Sequence, residues 1–198
     1  MIPPHHVLRA EIPAMAEVLR DAFLDDPVFT WMVPDAEARR GGLVQFMGAS
    51  VDLSMRRGHA YSTDDGQAVA LWSPPEIELY DGPGMEPIED FFRDVIADRA
   101  DLVLTSMLEL NALHPPEPHF YLGVIGTRPS AQGKGHGAAL LKTVLDRCDA
   151  TGTGAYLESS SIRNVPFYER HGFRVTSEFT FPEGPIMRPM WRAPRPPA

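Results

Sequence analysis

Gln132-Gly133-Lys134-Gly135-His136-Gly137 is the stretch of this chain whose residue types and spacing could do chemistry. Glycines at alternate positions let the backbone turn several N–H groups toward one point. The apolar residues that follow, Ala138, Leu141, Val144, Leu145 and Cys148, recur at helical spacing. Free amides at a helix start, with about half a positive charge from the aligned peptide dipoles, make a cradle for phosphate. The chemistry on offer is the holding of a phosphorylated cofactor.

Three cofactor classes compete, and spacing separates them. A P-loop places four residues between its first glycine and Gly-Lys-Ser/Thr, whereas here Lys134 is followed by Gly135 and Gly126 lies too far upstream. Gly133-x-Gly135-x-x-Ala138 does fit the dinucleotide fingerprint, with Glu158 about where a ribose-binding acid would stand. That fingerprint follows its strand directly, however, and here Arg128 to Gln132 intervene. Too little chain remains after Ala138 for a doubly wound sheet with a substrate domain. The pyrophosphate of coenzyme A is the third reading.

The elements that must position this loop are legible as periodicities. Phe120 to Thr127 carries almost no charge and reads as a central, buried strand, its glycines allowing close backbone approach. Ahead of it, Val7–Ala10 suggests a short strand, and Ile12, Met15, Ala16, Leu19 and Phe23 a helix ending near Asp25-Asp26-Pro27. Phe29 to Pro34 reads as an irregular aromatic segment, and Asp35 as the cap of a helix running to about Arg57, interrupted at Gly41-Gly42. His59–Thr63 and Gln67–Trp72 form a hairpin around Asp64-Asp65-Gly66, and helical spacing returns from Ile88 to Leu113. After the loop helix come a strand at Ala155–Glu158, a short helix from Pro166 to His171, a strand from Phe173 to Phe179, and a last one at Met187–Arg192. Alternating α and β segments, with strands in hairpin and crossover relation, predict an α/β domain on a mixed, twisted sheet flanked by helices.

Composition narrows the partners. The 198 residues suffice for one domain and a core without staples, and the single cysteine, Cys148, cannot bridge internally. No Cys/His cluster has metal-ligand spacing, so no metal is expected. A net charge of -9 argues against nucleic acid. No stretch approaches the roughly 20 apolar residues of a membrane span, and Met1 to His6 lacks the regions of a signal peptide, so a soluble cytoplasmic protein is expected. The 20 prolines fall mostly between periodic segments and read as loop punctuation.

The glycine loop resembles that of the GCN5-related N-acetyltransferase (GNAT) superfamily, of the form Gln/Arg-x-x-Gly-x-Gly/Ala, with Pro129 at the usual place before it. A second motif of that superfamily is matched by Asn164-Val165-Pro166-Phe167-Tyr168-Glu169-Arg170-His171-Gly172-Phe173. From Tyr121 to Phe173, including Leu157-Glu158-Ser159 and Arg163 to Tyr168, the chain is similar to the puromycin N-acetyltransferase branch; before His114 the similarity is diffuse.

The resemblance implies a single domain over residues 1–198, with an acceptor-side half (1–118), an acetyl-CoA-binding half (119–192) and a flexible tail (193–198). It implies acetyl-CoA as co-substrate. The strand backbone at Ile125 and Thr127, with Gly126 between them, would meet the pantetheine arm. Gln132, Gly133, Lys134, Gly135, His136, Gly137 and Ala138 would hold the phosphates, with Lys134 toward the adenosine phosphate, and Asn164 and Phe167 would complete the cofactor site. Tyr168 would be the general acid that returns a proton to the thiolate, and Glu158 the acceptor of the amine's proton, directly or through water. A backbone N–H such as that of Gly126 would stabilise the oxyanion. Two departures stand out: His136 replaces a common aliphatic residue, and Ser161 and Asn164 stand where asparagine and alanine are commoner.

The implied function is transfer of an acetyl group from acetyl-CoA to a primary amine of a small molecule, by direct attack in a ternary complex, in a protein that allows a homodimer. The alternative is a non-catalytic coenzyme-A-binding sensor on the same fold. The amine pocket would come from Phe23, Asp25, Asp26, Phe29, Trp31, Trp72, Tyr80 and His114.

Overall fold

Strand β4 (His119–Thr127) runs through the middle of the molecule because its side chains are apolar on both faces and little of it meets water. The computed structural model describes residues 3–75 and 77–195. On one side β4 pairs antiparallel with β3 (Ala68–Ser73), which forms the expected hairpin with β2 (Ala60–Ser62), and β2 pairs with β1 (His5–His6). On the other side it pairs in parallel with β5 (Gly154–Ser159), through the crossover helix α6 (His136–Thr151). Beyond β5 the described sheet continues with β8 (Ile186–Arg192), on which both β6 (Arg174–Val175) and β7 (Phe179–Thr180) pair. The mixed α/β architecture read from the sequence is the one observed.

Two cores sandwich this sheet. Helices α1 (Ile12–Phe23), α2 (Pro27–Met32) and α3 (Ala36–Arg56) pack with Val69, Leu71 and Val124 on one face. Helices α6 and α7 (Val165–Arg170) pack with Ala68, Ala70, Trp72, Phe120 and Leu122 on the other.

Several expectations are corrected. Phe29 to Pro34 is not irregular: most of it lies in α2, capped by Asp26, which accepts from the N–H groups of Val28 (2.9 Å) and Phe29 (3.3 Å), with Pro27 at the first helical position. Asp35 does cap α3, but the helix passes through Gly41-Gly42 unbroken. A Cβ at Gly42 would stand 2.6 Å from Val95 Cγ1, so glycine there permits close packing rather than a break. The single helix expected from Ile88 to Leu113 is split into α4 (Glu86–Asp90), a π-turn (Phe91–Ile96), a 3-10 turn (Ala97–Arg99) and α5 (Ala100–Asn111). Ala97 takes a positive φ of 50° at the joint. Near the N-terminus, residues Arg9–Glu11 form a 3-10 turn instead of a strand, because the Glu11 carboxylate takes the Leu8 N–H at 2.8 Å. The strand expected from Phe173 to Phe179 divides into β6 and β7. Of the tail, residues 196–198 lie outside the described residues.

Candidate active site

Strands β4 and β5 part company halfway. Their pairing runs from His119–Gly154 to Leu122–Leu157 and stops, although β4 continues to Thr127 and β5 to Ser159. On its other side β4 stays paired with β3 as far as Ala68–Thr127. The cause lies at Gly123. Leu71 and Trp72 meet Val124 and Leu122, so Gly123 is an extra residue, a β-bulge that turns the strand. The phase of alternation flips there: Phe120 and Leu122 face the α6 core, whereas Val124 faces the opposite core. No side chain fits at Gly123, since a Cβ would lie 2.2 Å from Leu79 Cδ2. From Gly123 to Thr127, β4 therefore presents a backbone edge that β5 does not pair with. Such an edge suits an extended, amide-bearing chain.

The loop after β4 supplies the second part. Gly133 (φ 75°) and Gly135 (φ 89°) both take left-handed conformations, and Gly135 caps α6 without any side-chain hydrogen bond. Among the described residues, the N–H groups of Gly133 to Ala138 donate to no backbone or side-chain acceptor. They converge on the positive end of a 16-residue helix. Gln132 donates to Thr127 O at 3.4 Å, which ties the loop back to the bare edge. Phe167, on α7, lies 3.2 Å from where a Gly137 Cβ would stand, so it closes over the helix start. His136 lines the cavity with its Nε2 3.7 Å from Asp65 Oδ2, and its Nδ1 is buried without a partner. Lys134 turns away: its ammonium donates to Ser130 O at 3.1 Å and it does not line the cavity.

Groups able to move protons sit where the strands part. Tyr168 is 7% exposed, and burial, aided by the Asp26 carboxylate, pushes its phenol well above the usual range. The phenol therefore stays protonated across the neutral range. Asp26 caps α2 and also accepts from Ser160 Oγ, just after β5, thereby linking the two halves of the chain. Burial raises its carboxyl above the ordinary value, against the lowering effect of Ser160 and the helix amides. Across the opening, the Glu158 carboxylate is 5% exposed and lies 3.0 Å from His114 Nε2. The His114 ring packs 4.4 Å from Tyr156 and 4.7 Å from Tyr121. Burial, with the negative charge of Glu158 added, raises both phenols.

One cavity of about 1210 Å³ joins these parts. It touches Ile125, Gly126, Thr127, Gln132, Gly133, Gly135, His136, Gly137, Ala138, Glu158, Asn164, Phe167 and Tyr168, hence every residue expected at the site except Lys134. Of the expected amine-pocket residues, Phe23, Asp26, Phe29, Tyr80 and His114 line it. Asp25 is exposed, Trp31 packs on Phe181 with its indole N–H on Pro182 O (3.0 Å), and Trp72 is fully buried in the core. Sequence reasoning missed Phe46, Phe92 and Met107, which also form the wall. Their helical spacing signalled burial and nothing more.

Comparison with known proteins agrees with this geometry. The family model for the acetyltransferase (GNAT) domain matches residues 99–192. A Schizosaccharomyces pombe protein described as an uncharacterized N-acetyltransferase is 28% identical over 181 residues, spanning 80% of this chain and 68% of that one. The solved structure of histone acetyltransferase HPA2 and related acetyltransferase from Corynebacterium glutamicum has a TM-score of 0.69 at 25% identity, covering 100% of this chain and 99% of that one. A polyamine N-acetyltransferase of Drosophila melanogaster, at 14% identity over 96% of this chain and 98% of its own, shares the fold with a TM-score of 0.61. Residues 99–192 match the GNAT acetyltransferase domain, and the chain as a whole shares the fold of solved acetyltransferases. These matches support an acyltransferase enzyme. Among the described residues there is no metal-holding group of three or more His, Cys, Asp or Glu, and no helix long and apolar enough to cross a membrane.

Proposed function

We propose that this enzyme transfers the acetyl group of acetyl-CoA to a primary amine of a small molecule, by direct attack within a ternary complex, in the cytoplasm. The observation that carries this reading is the convergence of a bare strand edge, a cradle of free amides and two proton-handling groups on one cavity. Its residues fit coenzyme A. The amides of Gly133 to Ala138 suit a pyrophosphate, and the β4 edge around Ile125 that β5 leaves free suits the amides of a pantetheine arm.

Acetyl-CoA supplies the acyl group as a thioester. Glu158, with His114 against it, takes the proton that the amine must lose as its nitrogen bonds to the carbonyl carbon. A backbone N–H on the unpaired stretch of β4 bears on the developing oxyanion. Tyr168, protonated until then, gives its phenolic proton to the departing sulfur as the C–S bond breaks. An acyl-enzyme route through cysteine is disfavoured, since Cys148 is fully buried and its thiol is pushed up to about 12.

The test is to incubate the purified protein with acetyl-CoA and a panel of primary amines, following free thiol and acetylated amine together. Equal appearance of both is expected. Tight coenzyme A binding with no transfer to any amine would overturn the reading.

A further inference from the structure

Away from the glycine loop, one end of the cavity forms a chamber walled by aromatic rings. Phe23, Phe29, Phe46 and Tyr80 form a ladder of ring contacts, each 5.7 Å between centroids. Phe23 sits against Gly126, 3.4 Å from where its Cβ would be, and Leu79, next to Tyr80, presses on Gly123. The ladder therefore arches over the same stretch of β4 whose edge β5 leaves free. From there Leu104 and Leu108, one turn apart on α5, carry the apolar wall outward, and Leu108 is 71% exposed at the surface.

Negative charge inside this chamber is already spoken for. Asp26 is engaged by the α2 amides and Ser160, and Glu158 by His114. Glu78 and Glu89 touch the cavity but are themselves exposed to solvent. A second ammonium carried into the aromatic part would trade its hydration for the weaker attraction of ring faces, with no free carboxylate to make up the rest. An aryl or branched alkyl group would instead displace water from apolar walls.

We infer that the acceptor is a monoamine whose remaining body is apolar, an aryl-alkyl or branched-alkyl group seated among Phe29, Phe46 and Tyr80, and not a polyamine or an amino sugar. The fate of the reacting nitrogen rests on the transfer reading above; the seat for the apolar body rests on the chamber alone.

The experiment measures kcat/KM for 2-phenylethylamine and isopentylamine against spermidine and glucosamine, with calorimetric binding of each amine in the presence of coenzyme A. The two apolar monoamines are expected to exceed the others by at least tenfold in kcat/KM. Leu104→Glu, at an exposed position on the chamber wall, is expected to narrow that ratio by favouring spermidine. Faster turnover of spermidine or glucosamine by the unaltered enzyme would overturn the inference and leave acetyl transfer intact. Calorimetric binding of the apolar monoamines without thiol release from any amine would sink the transfer reading and leave the chamber assignment standing. Absence of both binding and turnover for the apolar monoamines would overturn the chamber assignment.

Discussion

His114 Nε2 stands 3.0 Å from Glu158 Oε1, joining the connection after α5 to the end of β5 at the point where the sheet opens. Glu158 is 5% exposed and His114 21%, so the imidazole is the more accessible of the two. Under the proposed mechanism Glu158, so enclosed, must pass its proton on before the next turnover, and His114 against it would carry it. His114→Asn and Glu158→Gln are each expected to lower kcat by about 100-fold with little change in acetyl-CoA affinity. The double variant is expected to be scarcely worse than either, because the two act as one unit. Fully additive losses, measured in the same double-mutant cycle, would show that they act separately.

The glycine loop makes a different prediction, one about binding. At Gly133 an added Cβ meets no atom within 4 Å, but φ is 75°. Gly133→Ala therefore introduces backbone strain of about 1 kcal/mol without a clash. The expected result is a several-fold rise in KM for acetyl-CoA with kcat nearly unchanged, read from steady-state kinetics. A fall in kcat at constant KM would contradict the assignment of these amides to the cofactor.

Arg39 governs the architecture around Asp26. Although 6% exposed, it has no carboxylate partner among the described residues and donates instead to the carbonyls of Leu24 (2.8 Å), Val33 (2.6 Å) and Pro34 (3.1 Å). It thereby holds the ends of α1 and α2 onto α3. Arg39→Met would leave those carbonyls buried and unpaired, at a cost on the order of 3 kcal/mol. Urea denaturation is expected to show that loss. Arg39→Lys is not expected to restore it, since an ammonium cannot span the same fork of acceptors.

Stability should fall steeply in alkali. Burial raises the phenols of Tyr121, Tyr156 and Tyr168 and brings the Cys148 thiol up to about 12. In the unfolded chain these groups ionise near their ordinary values, about 10 for tyrosine and 8.5 for cysteine. Below pH 8.5 both states keep their protons and nothing changes. Above it the unfolded chain loses the Cys148 proton, and above about pH 10 the three tyrosine protons, that the folded chain retains, so stability drops by roughly 1.4 kcal/mol per pH unit for each group in its own range. A melting temperature that stays flat from pH 8 to 11 would contradict this.

Legibility in the sequence followed the range of the interactions. The glycine loop and Asn164 to Phe173 are local: their geometry is dictated by residues a few positions apart, and both were readable. Asp26-Pro27 carried a cap signal for α2 that the aromatic run obscured. The π-turn at Phe91–Ile96 was invisible, because the extra residue shifts the register while the spacing of apolar side chains still reads as helical. No pattern along the chain could pair His114 with Glu158, or send Lys134 away from the cavity, since both depend on tertiary packing. The bulge at Gly123 is intermediate. A glycine in a buried strand hints at close approach, but only the register against Leu71 and Trp72 reveals the change of face.

Tyr168→Phe tests the proposed chemistry most directly. The hydroxyl is removed while the ring that packs 5.2 Å from Phe167 and 6.1 Å from Phe173 remains. With kcat from thiol release and coenzyme A affinity from calorimetry, the expected outcome is a fall in kcat of about 100-fold or more at unchanged affinity. Full activity in that variant would remove Tyr168 as the proton donor and contradict the mechanism.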